Sequence, residues 1–473
     1  MGLIDLSGAE VIRRMTAGEV SCVDVMTAAL DRIDAVNGPL NAIVSMRDPA
    51  SLIAEAEAAD RARTAGEAVG PLFGLPIAVK DAANAAGLET SKGSPILAGQ
   101  IAKSDDLAIG RMRAAGAIFI GKTNIPEFGL GSHTFNPVHG ASINPYGPGR
   151  TPGGSSGGAA AALAARMQWL CDGSDMMGSL RNPAGWNNVY GFRPSWGRVP
   201  PDPGGDVIMH PLTTLGPMAR DVTDIALLLD VMAGPAPRVP FAPRAEAYSG
   251  RINADVTGRR VAWAADWGGA WPMERGILDT CETALDRFRD IGIEVERIDP
   301  PFPAEELWDS WVTLRQLAVA GRIGPVYARP DLRAKLRDVA IWETEAGLAL
   351  SAEQILRASA IRSRWHSAAA DLFTRFDAVI LPTAQCWPFP VETPYPTEIG
   401  GVAMDTYHRW MECVIPASLG GFPSLGAPAG FGADGLPIGL QIIGRYGDDL
   451  GVLQIGQAWH EATRWPQERP PML

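Results

Sequence analysis

The sequence predicts an α/β protein, a single domain with a mixed, mostly buried β-sheet that helices cover on both faces. Three observations support this fold class. Apolar runs of strand length recur along the chain, helical segments alternate with them, and no internal repeat or low-complexity tail interrupts the pattern. Alternating strands and helices are typical of one sheet with helical connections. We therefore expect one domain, although 473 residues would by length alone allow two or three.

The N-terminal half begins with helices. Residues 6–36 predict two of them, and Ser21 with Asp24 three residues later is typical of a capping box at the start of the second. The further elements predicted in this half are a helix at 53–64, a strand at 75–79, a helix at 107–115, a strand at 117–120, a short helix at 159–167, a strand at 189–193 and a helix at 217–234 capped near Asp221.

The C-terminal half continues the alternation after a proline-rich, polar stretch at 234–260, the best candidate for a boundary between subdomains. Residues 293–298 alternate Ile and Val with charged residues, which indicates a half-exposed strand. The other elements predicted here are a strand at 260–263, helices at 274–291, 307–319 and 352–373, strands at 377–381 and 437–443, and a helix that continues through Trp459.

Composition excludes several classes of function. The net charge of −12 and the pI near 5.1 argue against nucleic acid or an anionic membrane as a partner. The five cysteines are scattered and form no C-x-x-C pair, which indicates reduced thiols in a cytoplasm and no zinc cluster. The first residues lack the features of a signal peptide, and no apolar run is long enough for a transmembrane helix. We expect a cytoplasmic protein with no metal and no cofactor.

Two glycine-rich loops, each with a serine, stand at the centre of the chain. The first spans 151–158 and carries Ser155, and the second spans 173–181 and carries Ser179. The nine residues between them at 159–167 are almost all helix formers. Glycine near a serine leaves backbone N–H groups uncrowded, as an oxyanion hole requires. The long loop region at 124–152 is also expected to be functional.

Two familiar motifs match in letters only. Residues 153–157 fit G-x-S-x-G, the nucleophile elbow, but that motif must follow a strand, and 144–152 contain three prolines and two glycines. Residues 116–123 fit the P-loop pattern, but the residues between the glycines form a strand-like run where a glycine-rich turn is needed. Lys122 is therefore expected to end a buried strand.

Lys80 ends the apolar run at 75–79, a length and composition expected of a strand covered on both faces. Two interpretations are open. The lysine could extend to solvent or pair with Asp81, or desolvation could lower its pKa enough for it to act as a base. A Ser-His-Asp enzyme is a further alternative, because triads assemble from distant positions. None of the six histidines lies in a loop like those of the serines.

The chain resembles the amidase signature family from about residue 6 to 445. The matching segments are 74–81, 115–124 with Glu127 and Phe128, 152–158, 173–184, 191–194, 197–200 and 436–441. The resemblance implies one amidase domain at 1–473, with 1–233 and 430–473 as the family-pattern core and 234–429 as the more variable part that shapes the substrate pocket.

The family's Ser-Ser-Lys catalytic set has a match for each member. By resemblance, Ser179 is the nucleophile, Ser155 the bridging serine on a cis peptide and Lys80 the base. The further residues that the resemblance implies are the backbone N–H groups of Met176, Met177, Gly178 and Ser179 as oxyanion hole, and Gly129, Gly131 and Ser132 in a loop that lines the acyl pocket.

Two side-chain arrangements in the second serine loop can be decided only by the structure. Asp175 and Arg181 are expected to pair and brace it. Met177 stands where the family usually has glycine, and its side chain is expected either to narrow the acyl pocket or to fill core beneath the loop. Residues 186–188, a tryptophan and two asparagines, also stand where relatives tend to carry smaller or apolar residues.

The predicted activity is hydrolysis of a small carboxylic amide through a covalent acyl-enzyme. The expected partner is therefore a small-molecule amide, and a homodimer stays open. Two alternatives remain: the amidase-like subunit of a tRNA-dependent amidotransferase, and a non-catalytic relative that uses the fold for binding. The acidic charge of −12 weighs against the former, and intact Lys80, Ser155 and Ser179 weigh against the latter.

Overall fold

The computed structural model describes residues 2–202, 208–209, 212–239, 243 and 246–473. Its strands are β1 (Ile43–Val44), β2 (Pro76–Lys80), β3 (Ile118–Thr123), β4 (Phe135–Asn136), β5 (Gly140–Ala141), β6 (Leu170–Asp175), β7 (Tyr190–Arg193), β8 (Thr214–Ala219), β9 (Arg260–Trp263), β10 (Glu294–Arg297), β11 (Ala378–Pro382), β12 (Glu398–Ile399), β13 (Val402–Ala403), β14 (Ser424–Phe431) and β15 (Pro437–Ile443).

Its α-helices are α1 (Gly8–Ala17), α2 (Cys22–Leu40), α3 (Pro49–Thr64), α4 (Leu107–Ala114), α5 (Gly157–Ala164), α6 (Arg181–Trp186), α7 (Val222–Met232), α8 (Ile277–Asp290), α9 (Ala304–Tyr327), α10 (Pro330–Arg333), α11 (Asp338–Leu348), α12 (Ala352–Leu372), α13 (Ile415–Gly420), α14 (Asp449–Thr463) and α15 (Trp465–Glu468). Short 3-10 helices span Leu3–Asp5, Glu127–Gly129 and Arg409–Val414.

An eight-stranded mixed sheet forms the centre of the fold, in the order β10-β9-β11-β15-β14-β7-β8-β6. Strand β9 runs parallel to β10 and β11, and the remaining pairs are antiparallel. Helices α6, α8 and α14 pack against β14 and β15. The α/β prediction with a mixed, mostly buried sheet is confirmed. The strands before and after the 234–260 stretch, the predicted subdomain boundary, belong to this one sheet. Residues 240–242 and 244–245 of that stretch lie outside the described residues.

The strand that ends at Lys80 belongs to a second, three-stranded sheet of order β1-β3-β2. Strands β2 and β3 are parallel, and β1 closes the other edge of β3 antiparallel. The sequence predicts a single sheet, whereas the structure places these three strands in a sheet of their own. Side chains join the two sheets here: the backbone N–H of Lys80 donates to Asp172 Oδ1 of β6 at 2.9 Å.

Most predicted elements are confirmed within a few residues, including the capping box of Ser21 and Asp24 at the start of α2. The helix predicted at 217–234 is partly wrong. Residues up to Ala219 belong to β8, and α7 begins after Asp221, whose Oδ1 accepts the N–H of Asp224 at 2.8 Å. Strands β6 and β14 were not predicted, because both carry glycine and polar or proline residues that locally favour turns.

One large hydrophobic core spans the chain, and a smaller cluster lies beside it. The smaller cluster consists of Leu130, Val319, Ile323, Leu336 and Ala340, with Phe128 packed against it. It thereby joins the loop around residues 128–131 to helix α9. In the part of the chain that the structure describes, no helix is long and apolar enough to cross a membrane.

Candidate active site

Lys80 is the last residue of β2, and its side chain is buried between the two sheets. Its Nζ lies 2.9 Å from Ser155 Oγ, 2.7 Å from Ser156 Oγ and 2.9 Å from Ser174 Oγ. The interpretation of a lysine that extends to solvent or pairs with Asp81 is wrong, since Asp81 accepts hydrogen bonds from Ser91 and Gly93 instead. Lys80 is surrounded by hydroxyl groups that can both donate and accept.

Strand β6 supplies two of the groups around Lys80. Side chains alternate along a strand, so Asp172 and Ser174 share one face. Asp172 holds the Lys80 backbone and Ser174 contacts Nζ. The sequence analysis missed Ser156 and Ser174 as neighbours of this lysine. Ser156 follows the bridging serine directly, whereas Ser174 could have been found only by recognising β6 as a strand.

Burial lowers the pKa of Lys80 from its ordinary value of 10.5 to about 7, because the charged ammonium loses its hydration. The carboxylates of Asp172 and Asp175 oppose this shift only in part. Near neutral pH a substantial fraction of the side chain is therefore the neutral amine, which has a lone pair and can accept a proton from a serine hydroxyl.

The loop that carries Ser155 is fixed by its neighbours. The Gly154–Ser155 peptide bond is cis, as the resemblance implies. Thr134 Oγ1 donates to the carbonyl oxygen of Gly153 at 2.7 Å, and Ser132 Oγ donates to that of Gly154 at 2.6 Å. Gly153 has φ +78°, a conformation that favours glycine.

Neither misleading motif has the structural context that it requires. The 144–153 run before Ser155 forms turns, isolated bridges and irregular chain rather than a strand, so the nucleophile-elbow hypothesis is wrong. Residues 118–123 of the P-loop pattern are strand β3, and Lys122 Nζ donates to the carbonyl oxygen of Ala83. Lys122 ends a buried strand, as expected.

Ser179 lies in the loop between β6 and α6, next to the first serine loop. The N–H of Ser156 donates to the carbonyl oxygen of Ser179 at 3.3 Å, which joins the two loops. Ser155 and Ser179 line one cavity. The cavity is lined by Ala82, Phe128, Gly129, Leu130, Gly131, Ser155, Ser174, Met176, Met177, Ser179, Thr213, Arg315, Arg322 and Met411.

Asp175 and Arg181 pair as predicted, with two hydrogen bonds of 2.9 and 3.0 Å between fully buried side chains. Arg193, which the sequence analysis missed, contacts the same carboxylate at 3.3 Å. Burial favours a raised pKa for Asp175, but the two guanidinium groups outweigh it and hold that pKa below its usual range. The carboxylate is therefore ionised and braces the loop.

The same carboxylate changes the expected oxyanion hole. Asp175 Oδ1 accepts the N–H of Gly178 at 2.9 Å, and its Oδ2 accepts the N–H of Leu180 at 3.1 Å. The Gly178 amide is therefore already used, and the prediction that it binds an oxyanion is corrected. The backbone amides of Met176, Met177 and Ser179 donate to no other group among the described residues.

The predicted acyl-pocket loop is only partly at the cavity. Gly129 and Gly131 line it, together with Leu130 and Phe128. Ser132 differs, because it is buried and its hydroxyl lies between the Gly154 carbonyl oxygen and the Asn182 side-chain amide, at 2.6 and 2.7 Å. Ser132 therefore supports the loop of Ser155, which corrects its predicted contact with substrate.

The two positions expected for the Met177 side chain, at the pocket and in the core, are both occupied. Its side chain lines the cavity and is also almost fully buried, with an exposed fraction of 3%. The indole N–H of Trp311 donates to its Sδ at 3.2 Å. The backbone of Gly178 takes the positive φ of +78°, and Met177 does not, so a Cβ at position 177 causes no strain of that kind.

The Ser-His-Asp alternative finds no support. Among the described residues no histidine ring is hydrogen-bonded to Ser155 or Ser179, and His210 lies outside them. His133 Nε2 lies 2.9 Å from the carbonyl oxygen of Val391, and burial lowers its pKa to about 4. Across the same described part of the chain, no group of three or more His, Cys, Asp or Glu side chains could hold a metal ion.

Comparison with known proteins agrees with this geometry. The family model named Amidase matches residues 24–453. The acylamidase of Rhodococcus erythropolis is 32% identical over 482 residues, with 98% of this chain and 97% of the relative covered. The A subunit of glutamyl-tRNA(Gln) amidotransferase from Thermus thermophilus is 34% identical, with 98% of each chain covered.

Solved structures of amide-hydrolysing enzymes share this fold. A bacterial aryl acylamidase of the amidase signature family superposes with a TM-score of 0.91 at 28% identity, covering 98% of this chain and 99% of that one. The 6-aminohexanoate cyclic dimer hydrolase complexed with substrate superposes with a TM-score of 0.87 at 25% identity, covering 100% and 99%. The chain therefore belongs to the amidase signature family and is an amide (C–N) hydrolase.

Proposed function

We propose that this protein hydrolyses a small carboxylic amide through a covalent acyl-enzyme, with Ser179 as nucleophile, Ser155 as proton relay and Lys80 as base. The observation that carries the proposal is the 2.9 Å contact between Lys80 Nζ and Ser155 Oγ, beside the cavity that Ser155 shares with Ser179. The lowered pKa of Lys80 supports the assignment, because a neutral amine can accept the relayed proton.

The reaction proceeds in two halves. Ser179 Oγ bonds to the amide carbon while its proton passes to Ser155 and the proton of Ser155 passes to Lys80 Nζ. The oxyanion accepts hydrogen bonds from the free amides of Met176, Met177 and Ser179. The C–N bond then breaks as Lys80 returns the proton through Ser155 to the leaving nitrogen. Water hydrolyses the acyl-enzyme by the same relay and releases the carboxylate.

The segment 234–429 is proposed as the part that sets specificity, since it supplies Arg315, Arg322 and Met411 to the cavity. The amidotransferase alternative keeps one specific support, the 34% identity to the relative from Thermus thermophilus over 98% of both chains. Hydrolysis of simple anilides by the purified chain alone favours the amidase. Activity confined to glutamine in the presence of further protein components favours the amidotransferase.

The test is the Ser179→Ala variant with a panel of aliphatic and aryl amides. We expect turnover to fall by several orders of magnitude, and a fluorophosphonate probe should label wild-type protein at Ser179. Ser310→Ala is a matched control, because Ser310 is also a buried serine but donates to the carbonyl oxygen of Ala358 outside the cavity. A Ser179→Ala variant that keeps a tenth of the wild-type kcat, or a label on Ser155, contradicts the proposal.

A further inference from the structure

Helix α9 brings two guanidinium groups to the wall of the catalytic cavity. Arg315 and Arg322 are about two helical turns apart, so they lie on the same side of the helix. Both line the cavity that contains Ser155 and Ser179. None of the described residues that line this cavity is an aspartate or a glutamate. The cavity therefore has an excess of positive charge that its own walls do not balance.

Arg315 is a fixed and already neutralised cation. Its Nε donates to Glu343 Oε1 at 2.8 Å, and its Nη2 donates to the hydroxyl of Tyr407 at 2.7 Å. Its side chain is 4% exposed and that of Glu343 is fully buried, so the pair cannot rearrange easily. Only Nη1 is directed elsewhere, 3.6 Å from the Sδ of Met176, a weak acceptor. Arg315 contributes a rigid wall and no net charge.

Arg322 is different because its charge is unpaired. Its Nη2 donates to the backbone carbonyl oxygen of Phe128 at 3.1 Å, and it makes no ion pair with any residue that the structure describes. Arg322 is exposed, so it lies where the cavity meets solvent. A guanidinium has five N–H donors in a planar arrangement that matches a carboxylate, and most of them are unused here.

The position of Arg322 is set by packing as well as by its hydrogen bond. Leu130 and Phe128 pack with Ile323 and Val319 of α9, which holds the helix against the loop at 129–131. Arg322 contacts Phe128, the residue directly before the loop that the resemblance assigns to the acyl pocket, so we expect the guanidinium on the acyl side of the scissile bond.

We propose that the site accepts amides whose acyl part ends in a carboxylate, and that Arg322 is the residue that selects them. One unpaired positive charge matches one negative charge, which favours a monocarboxylate. The carboxylate forms charge-assisted hydrogen bonds with the guanidinium while the amide carbon lies at Ser179. This inference rests on the proposed amidase function and names its substrate class.

The experiment compares matched anilides. The first series consists of succinanilic, glutaranilic and adipanilic acids, which carry the carboxylate on the acyl chain. The second series consists of their methyl esters, and the third consists of neutral acyl anilides with a carboxylate on the aromatic ring. We expect kcat/KM for the best acid to exceed that for its ester by about tenfold at low salt, and the preference to weaken as ionic strength rises.

The Arg322→Gln variant should lower the acid-to-ester ratio of kcat/KM by about tenfold. Arg329→Gln is the matched control, because Arg329 is an exposed arginine of the same region that pairs with Asp331 at 2.9 Å and does not line the cavity. Its ratio should equal that of the wild type. An unchanged ratio in Arg322→Gln, an equal fall in Arg329→Gln, or a preference only for the ring carboxylates overturns the inference.

Failure of the inference and failure of the proposed function are distinguishable. Hydrolysis of the esters without preference for the acids, with fluorophosphonate label on Ser179, refutes only the role of Arg322. If no anilide is hydrolysed, the labelling rate itself is the readout: the acids should slow labelling of Ser179 more than the esters do in wild type but not in Arg322→Gln, and equal protection overturns the inference. Absence of label on Ser179 refutes the proposed function and the inference together.

Discussion

Replacement of Met177 by glycine tests the part of the site in which this chain departs from the family pattern. The Met177 side chain is 3% exposed and is the acceptor for the indole N–H of Trp311, which is itself fully buried. Truncation therefore removes buried apolar volume, leaves a cavity and deprives a buried donor of its partner. It also opens the wall of the cavity that Met177 lines together with Ser155 and Ser179.

The expected loss in the free energy of unfolding follows from these terms. Truncation of a buried methionine to a small residue costs about 2–5 kcal/mol, and an unsatisfied buried donor adds about 1–3 kcal/mol. We therefore expect Met177→Gly to be destabilised by about 3–6 kcal/mol, since the two terms overlap in part. Met177→Leu keeps the volume and loses only the sulfur, so it should lose about 1–2 kcal/mol.

Specificity should change together with stability. The ratio of kcat/KM for an octanoyl anilide to that for an acetyl anilide should rise by about tenfold in Met177→Gly. Met26→Ala is the control, because Met26 is a fully buried methionine of α2 that lies away from the cavity. It should lower the thermal midpoint and leave the ratio unchanged.

Two results would refute this reasoning. A thermal midpoint of Met177→Gly equal to that of wild type at the same scan rate would show that neither burial nor the Trp311 contact stabilises the fold. A ratio that stays at the wild-type value, in a variant that is destabilised, would end the claim that Met177 shapes the acyl pocket.

Three further predictions concern the groups around the serines. Because the pKa of Lys80 is lowered to about 7 and the neutral amine is the proposed base, kcat/KM should rise with pH up to about 7 and then level off. Lys80→Met should abolish this rise. A rise that survives in the variant assigns the base to another group. Asp175→Asn should lower kcat by about 10²–10³-fold, because the carboxylate orders the loop that is proposed to bind the oxyanion. It should also lower the thermal midpoint, because the buried Arg181 loses its counter-charge. Full activity would contradict the role of Asp175 as a brace of this loop. Gly129→Ala should destabilise the protein by about 1–2 kcal/mol, because Gly129 has φ +71°. The new Cβ would lie 3.5 Å from Ser155 Oγ, so kcat should also fall. A thermal midpoint and a kcat equal to those of wild type would refute this prediction.

The sequence alone was sufficient for the parts of the site that are local in the chain. Both serine loops lie within residues 151–181 and are joined by α5, so their glycine pattern could be read directly. Lys80 could be found because an apolar run of strand length ends on it, and burial between two sheets accounts for its lowered pKa. The α/β class followed from alternation that β15 and α14 repeat near the C-terminus.

Tertiary structure decided what depends on distant partners. Strands β6 and β14 form because neighbouring strands supply their hydrogen bonds, although the glycine and aspartates of β6 and the glycines and proline of β14 favour turns. The Gly178 amide donates to Asp175, which folds back onto it, and the Ser132 hydroxyl donates to the Gly154 carbonyl oxygen. Arg322 reaches the cavity from a helix more than a hundred residues beyond Ser179, and no local pattern encodes a contact between segments that only packing brings together.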